Sequence, residues 1–219
     1  MGEIIYASRE EWLAARNDGI GASEAAAVLG ISPFRNNADL WREKRGLLVP
    51  EDISDRPAVK YGTLAEAPLR ELFALDFPQY GVEYTPYKVY THDKYPQLRA
   101  TLDGELLEMD DSAPLRLIKR RGVLEIKTTE IRRASQWAEW KDKVPDHYYA
   151  QLCHQLLVTG WGFAVLKAQI KYDGGITTRH YTYERAEMET DIVYLLHQEL
   201  ALWDCVRTGR EPPRILPAI

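Results

Sequence analysis

Glu125 and Lys127 are two ionisable residues that stand two positions apart inside an otherwise aliphatic stretch, residues 122–129. The Val, Leu and Ile residues of this stretch predict a strand buried in a sheet. Residues two positions apart on a strand project from the same face, so the carboxylate and the ammonium group should lie side by side. A buried charge is costly unless it is paired or binds a metal ion. Taken alone, the pattern favours a structural salt bridge or an exposed strand edge over part of a catalytic centre.

Asp103 supplies a second carboxylate within a strand-like run, where an aspartate is locally unfavourable and the adjacent Gly104 often marks a bend. If the two strands are neighbours, Asp103, Glu125 and the backbone carbonyl of Ile126 form an oxygen-rich set. Mg²⁺ and Mn²⁺ prefer such oxygen ligands and stabilise the transition state of phosphoryl transfer. Lys127 would then orient the attacking water or help to deprotonate it.

A second candidate site is the glycine-containing loop at residues 19–30, in which Ser23 is expected to cap a short Ala-rich helix that ends at Gly30. Backbone N–H groups at a helix N-terminus point towards an anion. Many ordinary helices begin in the same way, so the spacing alone is compatible with an anion site and with a simple helix start.

The elements that must position these residues alternate between helical and strand-like patterns. A helix is predicted to begin at the Ser8 cap and to end at Gly19, and another, capped by Asn37, covers residues 38–45. The helical pattern at 61–75 contains Pro68, so this helix is either kinked there or begins only near Ala65. Further helices are predicted at 132–141, 145–159 and 186–207.

Strands are predicted at residues 82–90, 98–107 and 115–129, which together suggest a meander with a turn at 110–114. Residues 163–172 and 177–183 should form a hairpin. The order of elements predicts an α/β or α+β domain with a central mixed β-sheet flanked by helices. On the helix at 145–159, we expect Tyr148 and Gln155 to share the apolar face and Gln151 to be offset from it.

Composition limits the classes of function. The chain has 219 residues and a net charge of −5, which argues against a generally basic nucleic-acid-binding surface but permits a local basic track. The two cysteines, Cys153 and Cys205, do not make a disulfide framework, so we expect a reduced, cytoplasmic protein. No apolar run reaches the ~18 residues of a membrane span, and the N-terminus lacks signal-peptide features, so no membrane association is expected.

Five motifs occur in an order that resembles the YqaJ-type viral recombinase nucleases, which are alkaline exonucleases of the phage lambda exonuclease type. The resemblance covers roughly residues 8–172 and includes Glu-x-Lys, the core of the PD-(D/E)xK nuclease superfamily. The motifs are Trp-Leu at 12–13 leading to Gly-Ile-Gly-Ala-Ser-Glu-Ala at 19–25, Tyr-Gly at 61–62 with Glu66, Ala-Thr-Leu-Asp-Gly at 100–104, Leu-Glu-Ile-Lys-Thr at 124–128, and Tyr-Tyr-Ala-Gln-Leu at 148–152.

The resemblance implies a restriction-endonuclease-like PD-(D/E)xK fold and a single nuclease domain over residues 1–219. Within it, residues 8–60 would form the helical 5′-phosphate pocket, 61–183 the catalytic core and 186–207 the C-terminal helix. The residues that match the family's metal ligands are Asp103, Glu125 and the carbonyl of Ile126. The other residues that match its catalytic positions are Lys127, Glu66 and Gln151.

Arg16, Ser23 and Thr101 resemble the residues that hold the terminal 5′-phosphate. The resemblance implies a Mg²⁺-dependent exonuclease, with Mn²⁺ as a substitute, that digests linear double-stranded DNA in the 5′-to-3′ direction. It also implies 3′ single strands as the product, a homotrimer, and a single-strand annealing protein as the partner in recombination. The expected location is the cytoplasm of a host cell, with the gene carried by a phage or prophage.

The sequence is also compatible with two rival functions. One is a non-catalytic module that keeps the fold and binds DNA ends or a recombination partner, although the intact Asp103, Glu125 and Lys127 argue against a decayed site. The other is a structure-specific endonuclease with the same metal centre. A time course of digestion on linear and circular DNA would distinguish these functions from that of an exonuclease.

Several other charged and aromatic residues have two interpretations. The basic run at 119–121 would contact the DNA backbone or form a solvated turn, and Arg132 and Arg133 lie where a duplex could pass. Trp137 and Trp140 are expected to be core or surface residues. His147 and His154 are seven positions apart, too far for one metal ion, and are expected to be structural.

Overall fold

The computed structural model describes residues 1–110 and 117–215 as strands, helices and their connections. Short 3₁₀ turns at Ala15–Asp18 and Ala22–Glu24 join the first elements. In chain order the elements are β1 (Gly2–Ile5), α1 (Arg9–Ala14), β2 (Ile20–Gly21), α2 (Ala25–Val28), α3 (Asn37–Lys44), α4 (Pro57–Asp76), β3 (Tyr80–Glu83), β4 (Lys88–Thr91), β5 (Leu98–Ala100), β6 (Gly104–Asp110), β7 (Leu117–Glu130), α5 (Ala134–Glu139), α6 (Asp146–Thr159), β8 (Phe163–Tyr172), β9 (Gly175–Glu184) and α7 (Arg185–Thr208).

The strands form two mixed sheets, which confirms the predicted α+β class with helices around a central mixed sheet. The larger sheet has the order β3-β6-β7-β8-β9, and the smaller one has the order β1-β4-β5-β2. Strand β7 lies at the centre of the larger sheet, antiparallel to β6 and parallel to β8. The predicted hairpin is β8–β9.

The predicted meander is wrong, because two of its three strands are divided between the sheets. The run at 82–90 contains Pro86 and Tyr87, which has a φ of 57°, and these residues separate β3 from β4. The run at 98–107 breaks at residues 101–103 into β5 and β6. Asp103 is therefore not in mid-strand but lies just before β6. The predicted turn begins in β6, and its other residues, 111–114, lie outside the described ranges, as does the start of the predicted strand at 115–116.

Apolar residues cover both faces of the central strand. Leu124 and Ile126 of β7 pack in one cluster with Leu69 and Phe73 of α4. Val123 faces the other cluster, which contains the buried residues of α6 and α7. Successive side chains of β7 thus alternate between α4 and α6, as the period of two along a strand requires. The odd-numbered residues of this strand, including Glu125 and Lys127, lie on the α6 side.

Helix α4 runs without interruption from Pro57 to Asp76 through Pro68. The prediction of a helix that begins near Ala65 is therefore wrong, because Pro57 at the first helical position already provides a favourable start. Glu66 lies in the interior of this helix, one turn before Arg70. Because the helix begins at Pro57 and not near Ala65, Glu66 is in mid-helix and not at the helix start.

The other helix ends agree with the sequence patterns with small shifts. Ser8 accepts a hydrogen bond from the Glu11 N–H and caps α1, and α6 ends at Gly160, which has a φ of 69°. Helix α3 is capped by Asn36 and not by Asn37, because the Asn36 side chain accepts from the Asp39 N–H. Within residues 1–110 and 117–215, no helix has both the length and the apolar character needed to cross a membrane.

Candidate active site

Glu125 and Lys127 form an ion pair on the central strand, with 2.5 Å between Lys127 Nζ and Glu125 Oε1. Glu125 is 3% exposed. The exposed-edge explanation is excluded because β7 has a strand on each side. The predicted salt bridge between Glu125 and Lys127 is present. Further polar residues contact the same Glu125 carboxylate, so the salt bridge is only part of its environment.

Two glutamines of α6 complete the surroundings of Glu125. Gln151 Nε2 donates to Oε1 and Gln155 Nε2 donates to Oε2, both at 2.6 Å. Burial of an ionised carboxylate costs several kcal/mol, and hydrogen bonds to a charged group recover roughly 1.5–3 kcal/mol each. The two amides and Lys127 together therefore suffice to keep a buried Glu125 in place.

The face that Tyr148 and Gln155 were predicted to share lies towards β7, because Tyr148 contacts Lys127 and Gln155 contacts Glu125. The prediction that Gln151 is offset from this face is wrong, since Gln151 stands one turn before Gln155 and donates to the same carboxylate. Gln155 is fully buried, and its Nε2 also lies 3.3 Å from the Thr101 carbonyl oxygen. Sequence reasoning missed this residue, although a pair of glutamines at i and i+4 next to apolar positions is the signal that indicates it.

Asp103 lies just before β6, beside Glu125 on the neighbouring strand. Its Oδ2 accepts a hydrogen bond from the Ile126 N–H at 2.7 Å, which fixes the carboxylate against β7. Burial, and next the negative charge of Glu125, raise the pKa of Asp103 well above its usual range. The predicted pair of carboxylates is therefore brought together, and their repulsion marks a position that favours a cation.

Arg70 holds the segment that contains Asp103. Its Nε donates to the Asp103 carbonyl oxygen at 2.5 Å, and its guanidinium group lies 3.6 Å from the centroid of the Tyr84 ring. This contact ties α4 to the start of β6. Sequence reasoning missed Arg70, which stands one helical turn after Glu66.

Glu66 approaches the same centre from α4. Burial, and next the negative charge of Glu125, raise the pKa of Glu66, while Lys127 and Arg70 oppose the shift. The structure thus places this predicted acid within electrostatic reach of Glu125. Three carboxyl groups therefore influence one another electrostatically: Glu66 on α4, Asp103 just before β6 and Glu125 on β7.

Lys127 carries a positive charge in this environment. Burial by itself would lower the pKa of Lys127, but the adjacent carboxylates of Glu125 and Asp103 raise it above its usual value. Its Nζ also lies 5.2 Å from the centroid of the Tyr148 ring, a cation–π contact. A lysine held in its ammonium form can orient a water molecule or a phosphate oxygen, but it cannot accept a proton.

The donors at this centre fit a hard divalent cation in chemical type. Across the described ranges, no three His, Cys, Asp or Glu side chains lie close enough together to hold a metal ion by themselves. The set predicted from the sequence is different, since it combines Asp103, Glu125 and the Ile126 backbone carbonyl. Oxygen ligands of this kind, with water molecules in the other positions, are typical of Mg²⁺ sites.

A cavity of about 160 Å³ adjoins this centre, and all three predicted phosphate-binding residues line it. They are Arg16, Ser23 and Thr101, and the lining also includes Gln151, which contacts Glu125. The cavity and the carboxylate centre therefore share a residue. Because one water molecule takes up about 30 Å³ in the liquid, the space is sufficient for a phosphate group with its hydration.

Ser23 is exposed and does not cap a helix, which corrects the sequence prediction. The capping position belongs to Gly21, whose N–H donates to Glu24 Oε2 at 2.9 Å. Glu24 thus occupies the Gly21 amide at the start of the short 3₁₀ turn. Arg16, from the preceding 3₁₀ turn, adds a cationic side chain to the same cavity.

Two cations neutralise Glu24 behind the cavity wall. Lys44 Nζ lies 2.7 Å from Glu24 Oε2, and Arg35 Nη2 lies 3.2 Å from Oε1. Arg99, which sequence reasoning missed, also lines the cavity and is held by the Ala15 carbonyl oxygen at 3.1 Å. Arg99 also pairs with Asp18 at 3.3 Å, so the positive charge on the cavity lining comes chiefly from Arg16.

Comparison with known proteins identifies the family of this chain. The model of the YqaJ-like viral recombinase domain matches residues 11–162, which is more than half of the chain. The chain belongs to the YqaJ-like viral recombinase family. A curated relative, the uncharacterized protein YqaJ of Bacillus subtilis (strain 168), is 24% identical over 210 residues. The alignment covers 95% of this chain but only 59% of that protein.

Among solved structures, the fold is similar to that of LHK-Exo, an alkaline exonuclease from Laribacter hongkongensis. The match has a TM-score of 0.57 and 20% sequence identity, and it covers 91% of this chain and 97% of the other. A second structure of LHK-Exo, in complex with dAMP, matches with a TM-score of 0.56. At this level of identity the similarity establishes the fold of this family member.

The basic run at 119–121 of this recombinase-family chain does not form a solvated turn. Its three residues lie on strand β7, and each is paired with an acid. Arg120 contacts Glu108 and Glu184, while Lys119 lies 3.4 Å from Glu108. These pairs compete with any contact to a DNA phosphate.

The aromatic residues after β7 have structural positions, as expected. Trp140 is buried in the main core, and Trp137 packs against that core at its edge. Arg132 is exposed and pairs with Glu130 at 3.0 Å. The chain's two cysteines, Cys153 and Cys205, are both buried free thiols, in agreement with the absence of a disulfide framework.

His154 forms a buried ion pair that links three elements. Its Nδ1 lies 2.6 Å from Glu199 Oε1 of α7, and its Nε2 lies 2.8 Å from the Arg99 carbonyl oxygen of β5. Both His154 and Glu199 are fully buried. The structural role expected for His154 is thus supported, and the contact also fixes the backbone of a residue that lines the cavity.

The His154–Glu199 pair should make stability depend on pH. Burial alone would lower the pKa of His154, but Glu199 raises it above the usual ~6.5. At pH values between the His154 pKa of the unfolded state and the higher pKa of the folded state, the folded protein holds a proton that the unfolded chain has lost. The free energy of unfolding therefore falls as pH rises, by up to ~1.4 kcal/mol per pH unit. We expect this decline in urea-unfolding free energies measured from about pH 6 to 9.

The matched control is the double variant His154→Gln, Glu199→Gln, which keeps a neutral hydrogen-bonding pair. Its stability relative to the wild type should improve as pH rises from about 6.5, the unfolded pKa of His154, to the higher pKa of the folded state. A constant difference between the two proteins would show that His154 does not titrate in this window.

Proposed function

We propose that this protein is a metal-dependent exonuclease that digests linear double-stranded DNA from 5′-phosphorylated ends. The observation that carries the proposal is the cavity of Arg16, Ser23 and Thr101, which shares Gln151 with the Glu125 centre. A terminal phosphate held in the cavity would bring the next phosphodiester to the carboxylates. Repeated cutting from this anchor removes nucleotides from one strand and leaves a 3′ single strand.

The residues of the chain would divide the work between them. Asp103, Glu125 and the Ile126 carbonyl would hold Mg²⁺, or Mn²⁺ as a substitute. When bound, the ion stabilises negative charge on the scissile phosphate and lowers the pKa of a bound water. Lys127, held as an ammonium group, orients the attacking water and stabilises charge on a phosphate oxygen. Gln151 and Gln155 keep the Glu125 carboxylate in position, and Glu66 supports the centre from α4.

The family and the fold support this proposal from outside the site. The chain belongs to a family of viral recombinases, and its fold is that of an alkaline exonuclease that has been crystallised with a nucleoside monophosphate, dAMP. By extension we propose that a single-strand annealing protein is the partner and that the protein works as a homotrimer. The proposed location is the cytoplasm of a host cell, on behalf of a phage or prophage.

A time course on three forms of one DNA tests the proposal. Linear, nicked and closed-circular duplexes are incubated with Mg²⁺, and the linear form is supplied with 5′-phosphate or 5′-hydroxyl ends. We expect release of mononucleotides from linear DNA with 5′-phosphate ends, resistance of the closed circle, and loss of all activity in EDTA. Equal cutting of circular and linear DNA would instead indicate an endonuclease, and binding to ends without cutting would indicate a non-catalytic module.

A further inference from the structure

Lys44 is a buried lysine of α3 that contacts two segments of the cavity wall from behind. Its side chain is 1% exposed, and its Nζ lies 2.7 Å from Glu24 Oε2. The same Nζ donates to the Arg16 carbonyl oxygen, also at 2.7 Å. Burial of an ammonium group is costly unless the group is paired and hydrogen-bonded. Glu24 balances the charge of Lys44, and the second contact joins this lysine to a residue that lines the phosphate cavity.

Arg16 stands on a short turn that has little support of its own. The 3₁₀ turn Ala15–Asp18 has four residues, and no side chain caps its start. Hydrogen-bond geometry is poorer in a 3₁₀ turn than in an α-helix, and the last carbonyl groups of a helical turn lack partners within it. Two cations from other elements supply such partners, because Lys44 donates to the Arg16 carbonyl oxygen and Arg99 Nη1 donates to that of Ala15. Helix α3 and strand β5 therefore hold the backbone from which the exposed Arg16 side chain extends.

Glu24 anchors the other side of the Lys44 contact. Its Oε2 accepts from the Gly21 N–H at 2.9 Å, which fixes the carboxylate against its own loop. Ser23, which lines the cavity, immediately precedes Glu24 in this loop. Lys44 thus connects a loop that is already fixed to the turn that carries Arg16.

The phosphate cavity depends on the orientation of Arg16. A guanidinium group binds two phosphate oxygens at once only when it faces them in a defined orientation. Ordering a flexible side chain on binding costs free energy, and a site that is fixed in advance avoids part of this cost. The Arg16 guanidinium group lies 5.6 Å from the centroid of the Trp12 ring, which also lines the cavity. Lys44 lies behind the wall and does not line the cavity, so its influence on a bound phosphate would pass through Arg16.

We propose that Lys44 is a positioning residue, which fixes the backbone of Arg16 against the Ser23 loop and thereby strengthens the binding of a terminal 5′-phosphate. This assignment rests on the proposed exonuclease function. It demands that the benefit of Lys44 appears only on ends that carry a phosphate and only when Arg16 is present.

The test measures initial rates of nucleotide release, at subsaturating DNA, from linear duplexes with 5′-phosphate or 5′-hydroxyl ends. Lys44→Met keeps the apolar stem and removes the ammonium group. We expect its rate on 5′-phosphate ends to fall by roughly 2- to 12-fold, the cost of ordering one flexible side chain on binding. Its rate on 5′-hydroxyl ends should stay at the wild-type value. An equal loss on both kinds of end, or no loss on either, would overturn the proposal.

A double-mutant cycle shows whether Lys44 acts through Arg16. In the Arg16→Ala background, Lys44→Met should cause no further loss on 5′-phosphate ends, because the side chain that it positions is already absent. The same fold loss in both backgrounds would mean that Lys44 acts by its own charge or by supporting the fold as a whole, and the positioning role would be wrong.

The double variant Glu24→Gln, Lys44→Met controls for folding. It removes one charge of each sign, and Arg35 and Glu43 remain as a pair. This variant also lacks the contact with Arg16, so it should show the same loss on 5′-phosphate ends as Lys44→Met while melting closer to the wild type. A wild-type rate on these ends would attribute the effect of Lys44→Met to an unbalanced Glu24 and would contradict the proposal.

Arg42→Met is the matched control on the same helix. Arg42 pairs with Asp39 and Glu211, and neither of these acids lines the cavity. It should keep both wild-type rates, whereas a loss equal to that of Lys44→Met would show a general response to the removal of charge from α3 and would refute the role of Lys44. A wild type that cuts no DNA, or that does not distinguish the two kinds of end, would instead refute the proposed function.

Discussion

Replacing Lys127 with Ala should lower the rate of DNA digestion by roughly 10²- to 10³-fold, the usual effect of removing one group that stabilises charge in the transition state. Lys127 Nζ lies 2.5 Å from Glu125 Oε1, so the substitution removes both the cation that would face the scissile phosphate and one partner of a buried carboxylate. The measurement is the initial rate of nucleotide release from linear DNA with saturating Mg²⁺.

Lys119→Ala is the control for this effect. Lys119 also lies on β7 and also pairs with a glutamate, but its side chain is 59% exposed and its partner, Glu108, is not one of the acids around Glu125. We expect full activity from Lys119→Ala and unchanged DNA binding by Lys127→Ala in a gel-shift assay. Full activity of Lys127→Ala would show that the Glu125–Lys127 pair on β7 is not part of the catalytic site.

Stability needs a separate check in the Lys127 experiment. Loss of one partner from a buried ion pair costs about 3–5 kcal/mol when no other group compensates, but Gln151 and Gln155 still donate to Glu125. Lys127→Met keeps the apolar stem and should melt closer to the wild type while remaining inactive. If activity followed the melting temperature across Ala and Met, the role of Lys127 would be structural.

The parts of the centre that follow from local periodicity could be predicted from the sequence. The two-residue spacing of Glu125 and Lys127 fixes them on one face of a strand, and the structure confirms this placement. The Gly160 stop of α6 was predicted equally well, since a left-handed residue is strongly selective for Gly. In each case one short stretch of chain contains all of the information.

The parts that depend on contacts between distant segments could not be predicted in this way. Arg70 contacts Asp103 across 33 residues of sequence, and His154 contacts Glu199 across 45. The break at residues 101–103 has the same origin, because the Asp103 carboxylate accepts from Ile126 on another strand. Propensity scales describe neighbours along the chain, whereas these hydrogen bonds are set by the packing of sheet and helix.

The contrast between Glu24 and Glu125 shows how the two halves of the site are tuned. Both are nearly fully buried acids. Lys44 and Arg35 neutralise Glu24 together with its neighbour Glu43, which also pairs with Arg35, so Glu24 adds no uncompensated negative charge to the cavity. Glu125 is held chiefly by neutral amides and by one lysine, and it lies beside Asp103. The cavity lined by Arg16 thus keeps a positive character, while the adjoining centre has a negative one that suits a cation.

Replacing Arg16 with Ala should abolish the preference for 5′-phosphate over 5′-hydroxyl ends, with the larger loss on the phosphorylated DNA. A hydrogen bond between two charged groups contributes about 1.5–3 kcal/mol, so the rate on 5′-phosphate ends should fall by roughly 10- to 150-fold. Arg16→Lys should recover little of the loss, because a guanidinium group binds two phosphate oxygens at once and an ammonium group does not. The ratio of initial rates on the two kinds of end measures the effect.

Arg9→Ala separates this effect from a general loss of positive charge. Arg9 belongs to α1, seven residues before Arg16, is exposed and does not line the cavity. It should keep the wild-type ratio at every salt concentration, whereas Arg16→Ala should give a ratio near one even at low salt. Ser23→Ala, another residue of the cavity lining, should shift the ratio in the same direction by a smaller amount, because it loses a neutral donor and no charge. A ratio that falls equally in Arg9→Ala and Arg16→Ala would mean that the end is sensed by the overall electrostatic field and that the cavity has no part in selecting it.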